Sequence, residues 1–329
     1  MKHGPLEPEK LIEVSRLAKK FEEVEAVSGI SFDVRRGEVF GFLGPNGAGK
    51  TTTINMLTGL ARPDAGTIRI AGLDCSADPK AAQHLIGVVP DESNLYPELT
   101  GYDNLCFCAS LYGIEKEERG RRADHLLRQF RLQEAAHRKF SGYSKGMKRK
   151  LTIAAGIIHR PEILFLDEPT TGIDVASARQ IRQLISEMYR GGTTIFLTTH
   201  YIEEAERLCE RIAFIVNGRI VRNESVSTLL QPIQQRKGLL IKADQNISGL
   251  TGNLAKAFPE YTFRPVSSQQ LRVDSAQTIG IGPVVRFIEE QGAEVTEARQ
   301  IKPSLEDVFV DLTGIESDAM RTEKNGGQP

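Results

Sequence analysis

No stretch of this 329-residue chain is apolar for long enough to span a bilayer. A span takes about 18 apolar residues, and runs such as Leu151 to Ile158 reach less than half of that. Charge of one sign is missing too. Lys+Arg 42 against Asp+Glu 43 leaves a net charge of −1, so no global field draws in nucleic acid or anionic lipid, and contact with a membrane has to come through a partner. Cysteine is scarce, with four at Cys75, Cys106, Cys108 and Cys209. The one close pair, Cys106 and Cys108, lacks the second pair or the histidines of a zinc site, so the four read as reduced, mostly buried thiols. Met1 to Lys10 is polar, holds two prolines and has no apolar stretch of a leader, which places the chain in the cytosol by expectation. Repeats of 20 to 50 residues and a second phosphate loop are also lacking.

What is present is ordinary soluble composition, 40% hydrophobic and 26% charged, in a chain long enough for two domains. One stretch organises it. Gly44, Pro45, Asn46, Gly47, Ala48, Gly49, Lys50, Thr51 and Thr52 fit G-x-x-x-x-G-K-[ST], with the strand candidate Val39 to Leu43 before them and a helix starting near Gly49 after them. Glycines let successive backbone N–H groups face one anion, and the helix start adds partial positive charge behind them. Lys50 would reach the β- and γ-phosphates, and the Thr51 hydroxyl would ligate Mg²⁺.

Residues 11 to 43 alternate apolar and polar in short runs broken by Gly29 and Gly37, as antiparallel strands would. Gly66 to Gly72 reads as strand and turn, and Ile86 to Val89 as a buried strand stopped by Pro90. From Thr100 to Ile158 the period is helical, interrupted at Phe140 to Met147, with a new helix expected over Lys148 to Ile158. Ile163 to Leu166 and Thr194 to Thr198 are all-apolar strands joined by the helix Ala176 to Tyr189, a βαβ unit of a parallel sheet. Polar texture from Gln231 to Gly238 suggests a domain boundary, giving domains 11–232 and 238–314 and a disordered tail 315–329. The later part, in the order βαββαβ with a last helix from Ser304 to Leu312, suggests a small ferredoxin-like α+β sandwich. That last helix reads as capped by Ser304 with Asp307 and as packing Leu305, Val308, Phe309 and Leu312. The fold class is therefore α/β, a P-loop core with an antiparallel β subdomain and a helical insert at about 100–158.

Two further constellations carry chemistry. Asp167 and Glu168 follow an apolar strand at its carboxyl end, where ligands of open α/β sheets collect. Asp167 would hold the Mg²⁺ that Thr51 contacts, and Glu168 could polarise a water for attack on the γ-phosphate. Tyr143, Ser144, Lys145, Gly146 and Met147 precede a helix and form either a second anion site or a plain capped helix start. His200 at a strand end reads as structural or catalytic, and Phe21 as core or as a stacking ring.

In this order the elements resemble the nucleotide-binding subunit of an ATP-binding cassette (ABC) transporter. The resemblance covers about residues 11 to 230 and rests on Gly44 to Thr52, the Pro90-Asp91 region, Tyr143 to Met147, Leu164 to Glu168 with Thr171 to Asp174, and His200. It implies that Ser144 and Gly146 touch the γ-phosphate of a second copy across a head-to-tail homodimer. It also implies that Asp174 organises the dimer contact, that His200 holds the γ-phosphate and water, and that Phe21 stacks on adenine. Asp91 stands where the family usually has Gln, near Mg²⁺ and the attacking water, and Lys145 and Met147 replace Gly and Gln. Pro303 to Gly314 resembles the end of stand-alone ATPase subunits of the ABC-2 exporter group, which includes drug-resistance, sodium and polysaccharide or lipid exporters.

The expectation is an ATPase using ATP and Mg²⁺ that energises a separately encoded permease from the inner face of the cell membrane. A soluble cassette ATPase acting on nucleic acid or ribosomes is the rival. Such proteins usually carry two cassettes, and this chain has one and no basic tract. A nucleotide-binding regulator without hydrolysis is opposed by the presence of both Glu168 and His200.

Overall fold

The structure is a computed structural model that describes residues 9–233 and 237–315. It divides into two compact units, one reaching Val226 and a second formed by Ser227–Asp311, with the residues from Leu312 grouped with the first.

The first unit opens with β1 (Lys10–Phe21), β2 (Val24–Arg35), β3 (Val39–Leu43), α1 (Lys50–Leu57), β4 (Ala65–Ile70), β5 (Leu73–Asp74) and β6 (Ile86–Val89). A helical insert follows: α2 (Gly101–Leu111), α3 (Lys116–Gln129) and α4 (Lys145–Ile157). Then come β7 (Ile163–Asp167), α5 (Val175–Arg190), β8 (Thr194–Thr199), α6 (Ile202–Leu208), β9 (Arg211–Val216) and β10 (Arg219–Ser225).

Alternating burial along β1 and β2 puts them in an antiparallel sheet ordered β2-β1-β4-β5, one face on the core. The residues of β3, β7 and β8 are all buried, as a parallel sheet covered on both faces requires, and they lie in a second sheet ordered β10-β9-β3-β8-β7-β6. Val39–Leu43 thus leaves the antiparallel meander expected over residues 11 to 43 and pairs in parallel with β8 and β9. The β9–β10 hairpin was not foreseen. Phe32 of the first sheet meets Phe40, Phe42 and Phe196 of the second at centroid distances of 5.7, 5.5 and 6.1 Å, which closes the core between the sheets.

Register sets the site. Leu43 pairs with Thr199, and Asp167 with Thr198, so the carboxyl ends of β3, β8 and β7 lie level. In the insert, α4 begins at Lys145 rather than Lys148, because Ser144 caps it by accepting the Met147 N–H at 3.3 Å. Cys75 and Cys209 are buried, Cys106 and Cys108 only half-buried, and all four are free thiols. Among the described residues no helix is long and apolar enough to cross a membrane.

The second unit contains α7 (Val226–Leu230, its first residue belonging to the other unit), β11 (Lys237–Ala243), α8 (Thr251–Ala257), β12 (Thr262–Ser267), β13 (Gln270–Ser275), α9 (Ile281–Glu290), β14 (Val295–Ile301) and α10 (Leu305–Thr313, its last two residues belonging to the other unit). Its sheet is antiparallel in the order β12-β13-β11-β14, with Leu239, Ile241, Leu254, Val273, Val284 and Ile288 in one core. This is the strand order of a split βαβ sandwich. The unit begins at Ser227, ahead of the polar texture from Gln231 to Gly238, and Leu229 and Ile233 beside Gln231-Pro232 are buried. In α10, Leu305, Val308 and Phe309 are buried, but Leu312, expected to pack with them, is 45% exposed. The Arg272 guanidinium holds Asp307 of this helix. Apart from Ile315, the expected tail lies outside the described residues.

Candidate active site

The loop after β3 is shaped by close backbone approach. A Cβ on Gly44 would lie 2.1 Å from the Ile215 carbonyl oxygen, and Gly49, at φ 104°, would place one 2.4 Å from that of Ala26. The unforeseen β9–β10 turn pins the loop: Gly218 N–H donates to the Ala48 carbonyl at 3.0 Å, and Ser28 N–H donates to the Gly218 carbonyl at 2.8 Å. Asn46, Gly47 and Thr51 are exposed and Pro45 and Thr52 half-buried, while α1 presents its unpaired first-turn N–H groups. Lys50 is buried. Its Nζ donates to the carbonyls of Gly44 (2.8 Å) and Pro45 (3.3 Å) and stands 3.3 Å from Glu168 Oε1.

Level strand ends bring the other groups to the same place. The Thr51 hydroxyl donates to Asp167 Oδ2 at 3.0 Å, and the Thr198 hydroxyl donates to Oδ1 at 2.5 Å. Next along the chain, Glu168 sits in the left-handed region at φ 47°, a strain of about 1–3 kcal/mol for a residue with a side chain. Its N–H donates to the Thr198 carbonyl at 3.2 Å. His200 Nδ1 lies 2.9 Å from Glu168 Oε2, which also accepts from the Thr171 hydroxyl at 3.1 Å. Burial pushes the Glu168 carboxyl up, but the His200 hydrogen bond and the Lys50 charge outweigh it, and the net effect holds it below the ordinary glutamate range. An ionised carboxylate is what a general base needs.

Asp91 belongs to this field through its charge. It is exposed, yet desolvation by the protein around its carboxyl, together with Asp167 and Glu168, holds it above the ordinary aspartate value, opposed by Arg149. Four other expected residues stand elsewhere. Ser144 is exposed at the start of α4, and among the described residues no hydrogen bond or ion pair joins it to Gly44–Thr52. Gly146 packs against the start of α5, where a Cβ would meet Ser177 Oγ at 2.2 Å, and Asp174 caps that helix by accepting Ser177 N–H at 2.9 Å. Phe21, at the end of β1, is 49% exposed, with Lys19 Nζ 5.3 Å from its ring centroid.

Among the buried charged residues that the sequence reading did not single out, Glu204 and Arg149 bear on this site. Glu204 on α6 accepts from the Thr170 hydroxyl at 2.7 Å and from the Thr199 hydroxyl at 3.4 Å, and burial raises its carboxyl. Arg149 on α4 donates to the carbonyls of Pro90, Asp91, Asp167 and Pro169. Glu203-Glu204 and Lys148-Arg149-Lys150 look like solvated faces in sequence. Only a helical period against Ile153 and Ala154, or Ile202 and Ala205, could have marked Arg149 and Lys150 in one run and Glu204 in the other as inward.

The sequence profile of the ABC transporter family matches residues 27–171. The chain is similar to Nod factor export ATP-binding protein I of Paraburkholderia xenovorans (strain LB400), 42% identical over 223 residues, 68% of this chain and 73% of that protein. To the daunorubicin/doxorubicin resistance ATP-binding protein DrrA of Streptomyces peucetius it is 35% identical over 324 residues, 97% of each. Its fold matches the dimeric, post-hydrolysis structure of an ATP-binding cassette bound to ADP and Pi, with a TM-score of 0.60 at 27% identity over 65% of this chain and 98% of that one. A phosphate loop level with two strand-end carboxylates, and likeness along nearly the whole chain, thus lead to one conclusion: the protein belongs to the ABC transporter family, among its ATP-binding subunits.

Proposed function

We propose that this chain hydrolyses ATP as a homodimer and thereby drives export through a separately encoded membrane permease. The observation that carries the reading is Glu168, ionised and buried, held by Lys50 on one oxygen and His200 on the other beside a phosphate loop. The backbone N–H groups of Gly44–Thr52 and Lys50 bind and orient the phosphates. Glu168 takes the proton of the attacking water, and His200 keeps that carboxylate aimed while holding the γ-phosphate. Thr51 and Asp167, hard oxygen donors already facing each other, suit Mg²⁺, with Asp91 a further oxygen at hand. When bound, Mg²⁺ supplies neutralisation of phosphate charge.

Ser144 and Gly146 are read as the groups that close the nucleotide site of a second copy, with Asp174 at the contact. Support comes from the exposure of Ser144 on a helix start that makes no bond to its own phosphate loop. Phe21 is read as the platform for adenine, since its side chain is half exposed. Export follows from the relatives, one named for Nod factor export and another for daunorubicin/doxorubicin resistance. The subunit then works in the cytoplasm, on the inner face of the membrane and attached through the permease. Nothing favours the nucleic-acid rival.

Phosphate release measured over a dilution series tests this. Specific activity should rise with protein concentration, and Glu168→Gln should lower turnover by about 100-fold or more while ATP binding persists and an ATP-bound dimer accumulates. Equal activity per chain in dilute monomeric protein would refute the composite site. A full rate in Glu168→Gln would refute the base. Co-purification with a multi-span membrane protein tests the permease.

A further inference from the structure

Arg149 is 7% exposed, five positions after Ser144 at the start of the same helix; among the described residues it makes no ion pair, and its hydrogen bonds go to backbone carbonyls. Nε donates to the Pro169 carbonyl at 3.0 Å, Nη1 to those of Asp91 (3.0 Å) and Pro90, and Nη2 to that of Asp167. These acceptors bracket Glu168 on both sides and include the backbone of Asp91. A planar guanidinium spreads five donors over three nitrogens in a fixed fork, so it holds several carbonyls from two loops in one geometry that a single ammonium does not reproduce. Glu168 itself stands at φ 47°, a conformation that persists only where neighbours hold it.

We infer that Arg149 is a positioning residue: it braces the peptides flanking Glu168 and ties them, with the Asp91 loop, to the helix that begins at Ser144. The nucleotide pocket and the helix start offered to the other copy are thereby joined through one side chain. The inference rests on the proposed role of Glu168 as general base.

The test is a double-mutant cycle on the full-length protein, with Arg149→Lys, Glu168→Gln and the pair, read as kcat and KM for ATP, fluorescent-ATP binding and thermal melting. Lysine keeps the charge and loses the fork. Arg149→Lys should lower kcat by about 100-fold, the order expected for a misplacement near 1 Å, with nucleotide affinity nearly unchanged. In the Glu168→Gln background the same change should add almost nothing. Losses that multiply, a kcat near wild type, or equal losses in kcat and nucleotide affinity would each overturn the inference while leaving the reading of Glu168 intact. Failure of that reading shows separately, as a full rate in Glu168→Gln alone. If Arg149→Lys does not fold, Arg149→Gln takes its place in the cycle; if neither folds, the residue is structural and the inference falls.

Discussion

Lys50 and Glu168 form an ion pair at 3.3 Å in a buried site, one from the helix after the phosphate loop and the other from the end of β7. An unpaired charge in such a place is costly. The His200 hydrogen bond and the Lys50 charge together hold the Glu168 carboxyl below the ordinary glutamate range.

This pairing makes stability sensitive to acid. The folded-state value of Glu168 lies below the ordinary glutamate 4.5, so the folded chain binds that proton less tightly than the unfolded one. The stability it contributes is present above about pH 4.5 and is lost as pH falls through the depressed value. Melting temperatures between pH 7 and 4 should fall more steeply for the wild type below that point than for Glu168→Gln. Parallel curves would contradict the pairing.

Ser144 caps α4 whatever else it does. Ser144→Ala should cost about 1 kcal/mol of stability, whereas Ser144→Asp, an equal cap, should cost little. Activity should separate the two roles. The aspartate variant puts a negative charge where a phosphate is expected, so it should fold like the wild type and lose ATPase activity; full activity in that variant would argue against an anion at this helix start.

Phe21 is half exposed, and its truncation should leave stability within about 0.5 kcal/mol. Phe21→Ala should raise KM for ATP, and Phe21→Trp should restore it. Unchanged KM in the alanine variant would remove the ring from the nucleotide site.

Phe196 lies fully buried among Phe32, Phe40, Phe42 and Phe165, with centroids 5.4–6.1 Å away. Phe196→Ala should lower unfolding free energy by about 3–5 kcal/mol in a denaturant titration of the first unit. A loss under about 1 kcal/mol would mean that the two sheets do not depend on this ring.

Much of the site could be read from spacing because each motif is local. Gly44 to Thr52 must bend around an anion, and Asp167-Glu168 must follow an apolar strand, and both demands show within ten residues of sequence. The helix after Tyr143 starts three residues ahead of the expected Lys148, because Lys145 to Met147 carry no apolar period of their own and only the Ser144 cap marks the start. Gln231-Pro232 looked like a linker because the buried side chains beside it, Leu229 and Ile233, are isolated in sequence.

Local pattern was enough for most strands and helices up to Thr199, for the phosphate loop, and for which carboxylates end strands, since periodicity, glycine placement and apolar runs act over a few residues; it did not reveal α6 or the β9–β10 hairpin. Tertiary structure alone decided that Leu43, Asp167 and Thr199 finish level, and that Gly218 pins the loop. It alone turned Arg149 and Glu204 inward out of charged runs. Those outcomes depend on strand register and on carbonyls and hydroxyls from distant segments, and a buried charge is tolerated only where such partners already converge.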